Sequence, residues 1–117
     1  MSTPSKVYLL TTPGIFSSAR ELWVRYKEIS PEEAKKIIEG RQVINAVSHP
    51  ATVQLLSKVL GISLQPSRIT VDMQPGDLAI AIKVQGRLPE SGKELTEEEL
   101  KSIGYKLYLL QVLTVLE

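Results

Sequence analysis

The spacing of apolar residues along the chain predicts a sheet built from several strands. A dense apolar run, "KVYLLT" at Lys6–Thr11, predicts a buried strand that runs into the turn "TTPG". The stretch "ELWVRYKE" alternates between apolar and polar or charged positions, which is typical of a half-exposed strand. Its two faces are predicted to carry Leu22, Val24 and Tyr26 on one side and Trp23, Arg25 and Lys27 on the other.

Two short helices are predicted by their end signals. "SPEEAKKIIEG" begins with Ser30 as the N-cap, has Pro31 at the first helical position and ends at Gly40. The second helix spans Pro50–Leu60, has apolar residues at helical spacing and stops at Gly61. Between the two helices, "VINAV" predicts a short strand.

The second half of the chain predicts a hairpin, a third helix and a final strand. "RITVDM" and "LAIAIKVQ" both alternate and are joined by the turn "QPGD", which predicts the hairpin. "TEEELKSIG" has the capping-box residues Thr96 and Glu99 and predicts the helix, and "YKLYLLQVLTVL" predicts the strand. Because this strand is apolar on both faces, we expect both to be covered, and a partner subunit is one possible cover. The order of elements predicts an α/β (α+β) fold, a mixed sheet of about five strands covered by short helices.

Composition narrows the function classes. The 117 residues are 43% hydrophobic and contain no internal repeat, which fits one domain over residues 1–117 with a flexible leader at residues 1–5. The net charge of +1 gives no bulk attraction to DNA or to an anionic membrane. There is no cysteine, only one histidine and no long apolar run. We therefore expect a cytoplasmic protein without a thiolate or histidine-rich metal site, and we predict no cofactor.

The single histidine stands at a place where it could serve chemistry. His49 lies directly before Pro50, at the start of the second helix. A helix N-terminus presents unpaired backbone N–H groups and the positive end of the helix dipole, which together favour a phosphate. An imidazole there could donate a proton to a leaving oxygen at neutral pH. The alternative is that His49 only caps the helix.

Three other charged residues have a functional and a structural interpretation. Arg87 and Glu90 follow a strand that reads as central, and Arg68 opens "RITVDM". An arginine in such a loop suits bidentate phosphate contact, whereas an exposed arginine and glutamate can also form an ordinary solvated pair. Trp23, with the cations that follow it, could form a nucleic-acid surface or be an exposed part of an interface.

Four linked motifs resemble those of the small viral ring nucleases, the type III anti-CRISPR proteins of archaeal viruses and phages with host-encoded relatives. They are Ile44-Asn45-Ala46 with His49, "QPSR" at 65–68, Gly76-Asp77, and "RLPE" at 87–90. The resemblance is strongest from Ile44 to Leu100. The chain departs from the pattern after the first strand, where "TTPG" stands in place of an asparagine-containing loop, and at Pro50, which removes one backbone N–H.

This resemblance implies a two-fold homodimer that binds cyclic tetra-adenylate at its interface. Each ring would be cleaved without a metal, by attack of a ribose 2′-hydroxyl on the neighbouring phosphorus, to linear di-adenylate with 2′,3′-cyclic phosphate ends. His49 would be the general acid, Arg87 would hold the phosphate and Glu90 would position or polarise groups nearby. The ligand-binding set implied is Arg68, Arg87, Asn45, Ser48, Ala51, Thr52, Thr11 and Gln85, with Ala51 and Thr52 serving through their backbone N–H groups.

Two other functions are open at this point. The first is a non-catalytic dimer that binds a cyclic oligonucleotide or a protein, as a sensor or a sponge, with His49 as a helix cap. The second, a DNA-binding regulator, is disfavoured by the near-neutral charge and by the lack of a basic recognition helix.

Overall fold

The computed structural model describes residues 6–11, 21–69, 71, 74–84, 98, 102 and 104–116, and seven strands and helices within these ranges have defined bounds. In chain order they are β1 (Lys6–Thr11), β2 (Glu21–Ile29), α1 (Pro31–Ile38), β3 (Gln42–Asn45), α2 (Pro50–Leu60), β4 (Leu78–Val84) and β5 (Tyr105–Leu116).

The strands form one mixed sheet in the order β2-β5-β4-β1-β3. β1 pairs in parallel with β3 and with β4, whereas β5 is antiparallel to both β4 and β2. The last residues of the three parallel strands, Thr11, Asn45 and Val84, therefore lie along the same edge of the sheet. We call this the carboxyl edge. Tyr105, which is opposite Val84, begins β5 there.

Both helices cover the same face of the sheet. The core on this face joins alternate residues of the strands to the apolar sides of α1 and α2, and its members include Val7, Leu9, Ala34, Ile38, Leu55, Leu56, Ile80, Ile82 and Leu107. A smaller cluster lies on the opposite face, formed by Leu10, Val71, Ala79, Ala81, Leu110 and Val112. β4 is thus buried on both faces, which explains its nearly continuous apolar sequence.

The helix ends form as the sequence predicts. Ser30 and Glu33 make a reciprocal capping box, in which the Glu33 N–H donates to Ser30 Oγ (3.1 Å) and the Ser30 N–H donates to Glu33 Oε1 (3.3 Å). α2 ends at Gly61, whose φ of +70° lies in the left-handed region, which glycine adopts without steric strain. His49 is the N-cap of α2.

Most of the predicted elements are confirmed, but the hairpin prediction is wrong. β1, α2 and β5 have the predicted bounds, and α1 begins at Pro31 as predicted but ends at Ile38, two residues before Gly40. β4 is confirmed over Leu78–Val84, and the last residue predicted for it, Gln85, lies outside the described residues. Arg68, Ile69 and Val71 of "RITVDM" are not in a strand. Both edges of β4 are already hydrogen-bonded, one to β1 and one to β5, so no edge remains for a hairpin partner. Of the predicted third helix, Glu98 and Ser102 are described and both are helical. The leader at 1–5 lies outside the described residues.

Packing of α2 against the sheet is expected to dominate stability, because this helix supplies much of the core. Leu55 has no exposed surface. Its substitution by alanine should lower the free energy of unfolding by about 2–5 kcal/mol, measured by urea denaturation. Leu113→Ala is a matched control, because Leu113 is 56% exposed. It should change stability by less than about 0.5 kcal/mol, and equal losses at the two sites would contradict this assignment of the core.

Candidate functional site

The loop between β3 and α2 brings His49 to the carboxyl edge. The loop leaves β3 at Asn45, and its first residue, Ala46, donates its backbone N–H to the Leu9 carbonyl of β1 (2.9 Å). Three residues later His49 caps α2, with its own carbonyl accepting from the Val53 N–H (3.0 Å). The position of the imidazole is therefore set by two neighbouring parallel strands and by the helix that follows.

Thr52 holds one nitrogen of the His49 ring. The Thr52 backbone N–H donates to His49 Nδ1 (3.4 Å), and the Thr52 Oγ1 lies 3.3 Å from the same nitrogen. Both contacts use Nδ1, and among the described residues no hydrogen bond to Nε2 is found. His49 is exposed, whereas Thr52 is only 6% exposed. A buried side chain thus fixes one side of an exposed imidazole.

Two groups of Thr52 suit two protonation states of the imidazole, the backbone N–H the neutral ring and the hydroxyl the protonated ring. In the neutral ring that carries its proton on Nε2, Nδ1 accepts from the Thr52 N–H. In the protonated ring Nδ1 becomes a donor, and the Thr52 Oγ1 is within reach to accept from it. Loss of the Nε2 proton from the protonated ring leaves the proton on Nδ1, so the Thr52 hydroxyl can accept from Nδ1 both before and after a proton transfer.

The N-terminus of α2 is electrostatically prepared for an anion, unlike that of α1. Glu32 and Glu33 lie in the first turn of α1, where they offset the positive end of the dipole. α2 has no acidic residue in its first turn. Of the two amides expected to meet a phosphate, that of Thr52 is engaged by His49, and that of Ala51 belongs to the first turn, where N–H groups have no partner within the helix.

The Asn45 side chain holds the loop between β3 and α2 in place through three hydrogen bonds, which we call the Asn45 brace. Its Nδ2 donates to the carbonyls of Val47 (3.1 Å) and Gln65 (2.7 Å), and its Oδ1 accepts from the Val47 N–H (3.0 Å). The Ser67 N–H adds a bond to the Val47 carbonyl (2.9 Å). These bonds tie the loop that ends at His49 to the segment that leads into Arg68. Asn45 was predicted to contact ligand, and the structure gives both protons of its Nδ2 to the protein itself.

Of the other residues predicted for the site, some lie within the described structure and some lie outside it. Ser48 and Thr11 are exposed at or next to the carboxyl edge, and Arg68 is exposed directly after Ser67. The hydrogen bonds of Asn45 and Ser67 therefore bring the Arg68 segment to the loop of His49. Gln85, Arg87 and Glu90 follow β4 in the chain and lie outside the described residues, as does the rest of the turn "TTPG" after Thr11.

Three further features of the site were not predicted. The Thr52 hydroxyl contact follows from the capping-box spacing, because Thr52 stands three residues after the cap. An Asn side chain that accepts from the N–H two residues later is the Asx turn, so the Asn45–Val47 bond was readable from the loop. Tyr105 is half-buried at the same edge, and burial raises the pKa of its hydroxyl, with the Glu32 carboxylate adding to the shift. It remains a neutral hydrogen-bonding group at neutral pH.

An open groove of about 440 Å³ begins next to His49. It lies between α2 and the segment after it, and is lined by Pro50, Val53, Gln54, Ser57, Lys58, Leu64, Gln65 and Pro66.

Within the described part of the chain, no three His, Cys, Asp or Glu side chains are grouped so that they could hold a metal ion. None of the helices in that part is long and apolar enough to span a membrane.

Sheet, helices and cap together define a small α+β domain with a histidine-capped helix at the carboxyl edge of a mixed sheet. Residues 7–107 match the model of the STIV B116-like family, and the chain belongs to that family. The chain is similar to B116 of Sulfolobus turreted icosahedral virus, with a TM-score of 0.73 and 27% identity over 91% of this chain and 98% of that one. This likeness confirms the predicted α+β fold class.

Relatives by sequence come from viruses and from a bacterium. The chain is 32% identical over 109 residues to "Uncharacterized protein 26" of Sulfolobus islandicus filamentous virus, covering 92% of each. It is 34% identical over 107 residues to "Uncharacterized protein ORF117" of Acidianus two-tailed virus, covering 90% of this chain and 92% of that protein. It is 30% identical over 105 residues to YddF of Bacillus subtilis, covering 87% and 88%. The resemblance to a family of small archaeal viral proteins is thus confirmed.

The Asn45 brace can be tested by a nearly isosteric substitution. Asn45→Asp replaces Nδ2 with an oxygen that cannot donate, which leaves the Val47 and Gln65 carbonyls facing a carboxylate. The free energy of unfolding should fall by about 2 kcal/mol, and the amide of Ser67 should exchange with solvent faster. Gln42→Glu makes the same chemical change at an exposed position of β3 and should have little effect. Equal stability of Asn45→Asp and Gln42→Glu would argue against the brace.

Proposed function

We propose that this protein is a ring nuclease that binds cyclic tetra-adenylate and cleaves it to linear di-adenylate with 2′,3′-cyclic phosphate ends, needing no metal. Removal of this second messenger would switch off type III CRISPR signalling, which makes the protein an anti-CRISPR in a virus. The proposal joins the motif resemblance to the geometry at the carboxyl edge.

The observation that carries the proposal is the position of His49. Its imidazole is exposed at the N-terminus of a helix whose first turn has no acidic residue, its Nδ1 is held by Thr52, and its Nε2 has no hydrogen-bond partner within the described part of the chain. Phosphate is the anion that such an N-terminus favours. A proton donor fixed beside a phosphate-binding position is what cleavage of a phosphodiester requires of the protein.

The ring supplies its own nucleophile. The ribose 2′-oxygen forms a bond to the adjacent phosphorus as the bond from phosphorus to the 5′-oxygen breaks. The 2′-hydroxyl proton leaves to water or to a carboxylate, for which Glu90 is the candidate. Protonated His49 gives its Nε2 proton to the departing 5′-oxygen, and Arg87 offsets the charge that develops on phosphorus. The protein's part is to orient, to stabilise charge and to donate one proton.

A two-fold homodimer suits this substrate. Cyclic tetra-adenylate has four phosphates in a near-symmetric ring, and a dimer places one His49 at each of two opposite phosphates. Cleavage at those two positions yields two dinucleotides. Relatives in Sulfolobus islandicus filamentous virus and Acidianus two-tailed virus support a role in the interaction of a virus with its host.

One observation favours a second candidate, a dimer that binds the ring without cutting it. His49 already has a structural task, because its Nδ1 accepts from the Thr52 N–H as an N-cap. A histidine retained only for this purpose would leave binding without turnover. A protein of this kind would act as a sensor or a sponge for the same messenger.

Two substitutions of His49 separate its role as the N-cap of α2 from its proposed role as general acid. Asparagine is among the best N-cap residues but cannot act as a general acid, whereas alanine can do neither. We expect both variants to lose turnover of cyclic tetra-adenylate by about 10² to 10⁴, measured with radiolabelled ring. Only His49→Ala should also lose about 1 kcal/mol of stability.

Binding to the ring is measured for the same variants by calorimetry. The proposal predicts that affinity is largely retained while turnover falls. Equal losses of affinity and rate would make His49 a binding residue. Full turnover by His49→Asn would contradict the general-acid role.

Thr52 offers a second and milder test. Thr52→Val keeps the shape of the side chain but removes the hydroxyl that accepts from protonated Nδ1. We expect kcat to fall roughly ten- to a hundredfold with little change in KM, since a hydrogen bond to a charged group is lost. Thr52→Ser keeps the hydroxyl and should retain most activity. If the valine and serine variants have the same kcat, the hydroxyl does not hold the imidazole during the reaction.

A further inference from the structure

The side chain of Gln54 carries a buried polar atom without a partner. Its Oε1 is buried from solvent, and none of the described residues donates a hydrogen bond to it. Folded proteins leave few buried acceptors unpaired, because such an atom has lost its hydrogen bonds to water without replacement. Gln54 also lines the groove that begins at Pro50, next to His49. The last torsion of a glutamine side chain is soft, so rotation of the amide can turn Oε1 toward a ligand that supplies the missing donor.

Ser57 offers a second acceptor on the same side of α2. It lines the groove as well, and its hydroxyl donates its proton to the Val53 carbonyl (2.8 Å). With the proton used in this way, the Ser57 Oγ can only accept from a ligand. Gln54 and Ser57 are three residues apart in α2, a spacing that makes them neighbours on the helix surface. Two adjacent acceptors favour a ligand with two donor hydrogens, which a primary amino group has.

Much of the remaining lining of the groove is apolar. Pro50 and Val53 belong to α2, and Leu64 and Pro66 belong to the segment that follows it. Side chains of these types can cover the flat and largely apolar face of a heterocyclic ring. A volume of about 440 Å³ is within the usual range of small-molecule sites. The groove therefore suits a planar ring that carries an amino group.

Positive charge at the two ends of the groove favours an anionic ligand. At one end is Pro50, at the N-terminus of α2, where the helix dipole is positive. Lys58 lies about 12 Å further along the helix. It is exposed, and it is the only charged residue among the described ones that line the groove. An amino-substituted ring that is joined to a phosphate fits this distribution of charge, and an adenine nucleotide is such a molecule.

We propose that the groove binds an adenine base, with the 6-amino group donating to Gln54 Oε1 and Ser57 Oγ and the attached phosphate at the N-terminus of α2. That cyclic tetra-adenylate brings this base rests on the proposed function. The Gln54 amide can also donate to adenine N7 while it accepts from the 6-amino group. Guanine has a carbonyl oxygen in place of that amino group, and this oxygen would face two acceptors. The groove thus selects adenine through the acceptors that another base leaves unpaired.

Titration with adenosine 5′-monophosphate tests the site without the ring. Binding is followed by NMR spectroscopy of the labelled protein, and the resonances of Gln54, Ser57 and Leu64 should shift. Purine riboside 5′-monophosphate is the matched ligand, because it differs only in lacking the 6-amino group. It should bind about tenfold more weakly, since it leaves both acceptors without a donor.

Gln54→Leu is the variant that tests the amide. It should be at least as stable as the wild-type protein, because the buried unpaired acceptor is removed. Its affinity for adenosine 5′-monophosphate should fall about tenfold, and it should distinguish the two nucleotides by less than about threefold. Gln42→Leu makes the same change at an exposed position of β3 and should bind both nucleotides as the wild-type protein does.

Three results would overturn the groove as an adenine site. They are the absence of shifts at the groove, equal affinities of the wild-type protein for the two nucleotides, and an unchanged affinity of Gln54→Leu for adenosine 5′-monophosphate. If the wild-type protein still cleaves cyclic tetra-adenylate, such a result leaves the proposed function standing. Binding of adenosine 5′-monophosphate that depends on Gln54, in a protein that does not cleave the ring, would support the groove site and contradict the proposed function.

Discussion

The hydrogen bonds of Asn45 are the interaction on which the candidate site depends. One side chain at the end of β3 joins the loop that carries His49 to a segment 20 residues further along the chain. Neither segment is regular structure, so neither is held by a helix or strand ladder of its own. Instead, the two segments are held by hydrogen bonds from the Asn45 side-chain amide and from the Ser67 backbone N–H. The Asn45 brace fixes the direction in which α2 leaves the sheet and brings the Arg68 segment to the same corner.

The proposed chemistry at the N-terminus of α2 depends mainly on properties that every helix N-terminus has. The first-turn amides of α2 and its dipole favour an anion, and the absence of acidic residues there leaves this preference unopposed. His49 and Thr52 add a proton-carrying ring with one fixed nitrogen. α1 shows the contrast, because its capping box and two glutamates satisfy its N-terminus within the protein. The same local motif, a capped helix with proline at its first position, satisfies the helix end of α1 within the protein, whereas in α2 we propose that it also binds a ligand.

The fold was largely predictable from local pattern, and the site only in part. The end signals of α1 and α2 and the apolar runs of β1, β4 and β5 depend on neighbours in sequence, so the sequence could predict them. "RITVDM" alternates like a strand, but whether it pairs depends on a free sheet edge, and β1 and β5 occupy both edges of β4. His49 was predictable as a cap because its signal is local. The bond from Asn45 to the Gln65 carbonyl joins distant residues, and nothing in the spacing of the two reveals it.

The most direct test of the account is to incubate the purified protein with cyclic tetra-adenylate in the presence of EDTA and to identify the products by chromatography and mass spectrometry. The account predicts linear di-adenylate that ends in a 2′,3′-cyclic phosphate, formed without added metal. An intact ring that is tightly bound would contradict the catalytic role and favour the sensor or sponge. An intact ring that is not bound at all would contradict the proposed ligand itself.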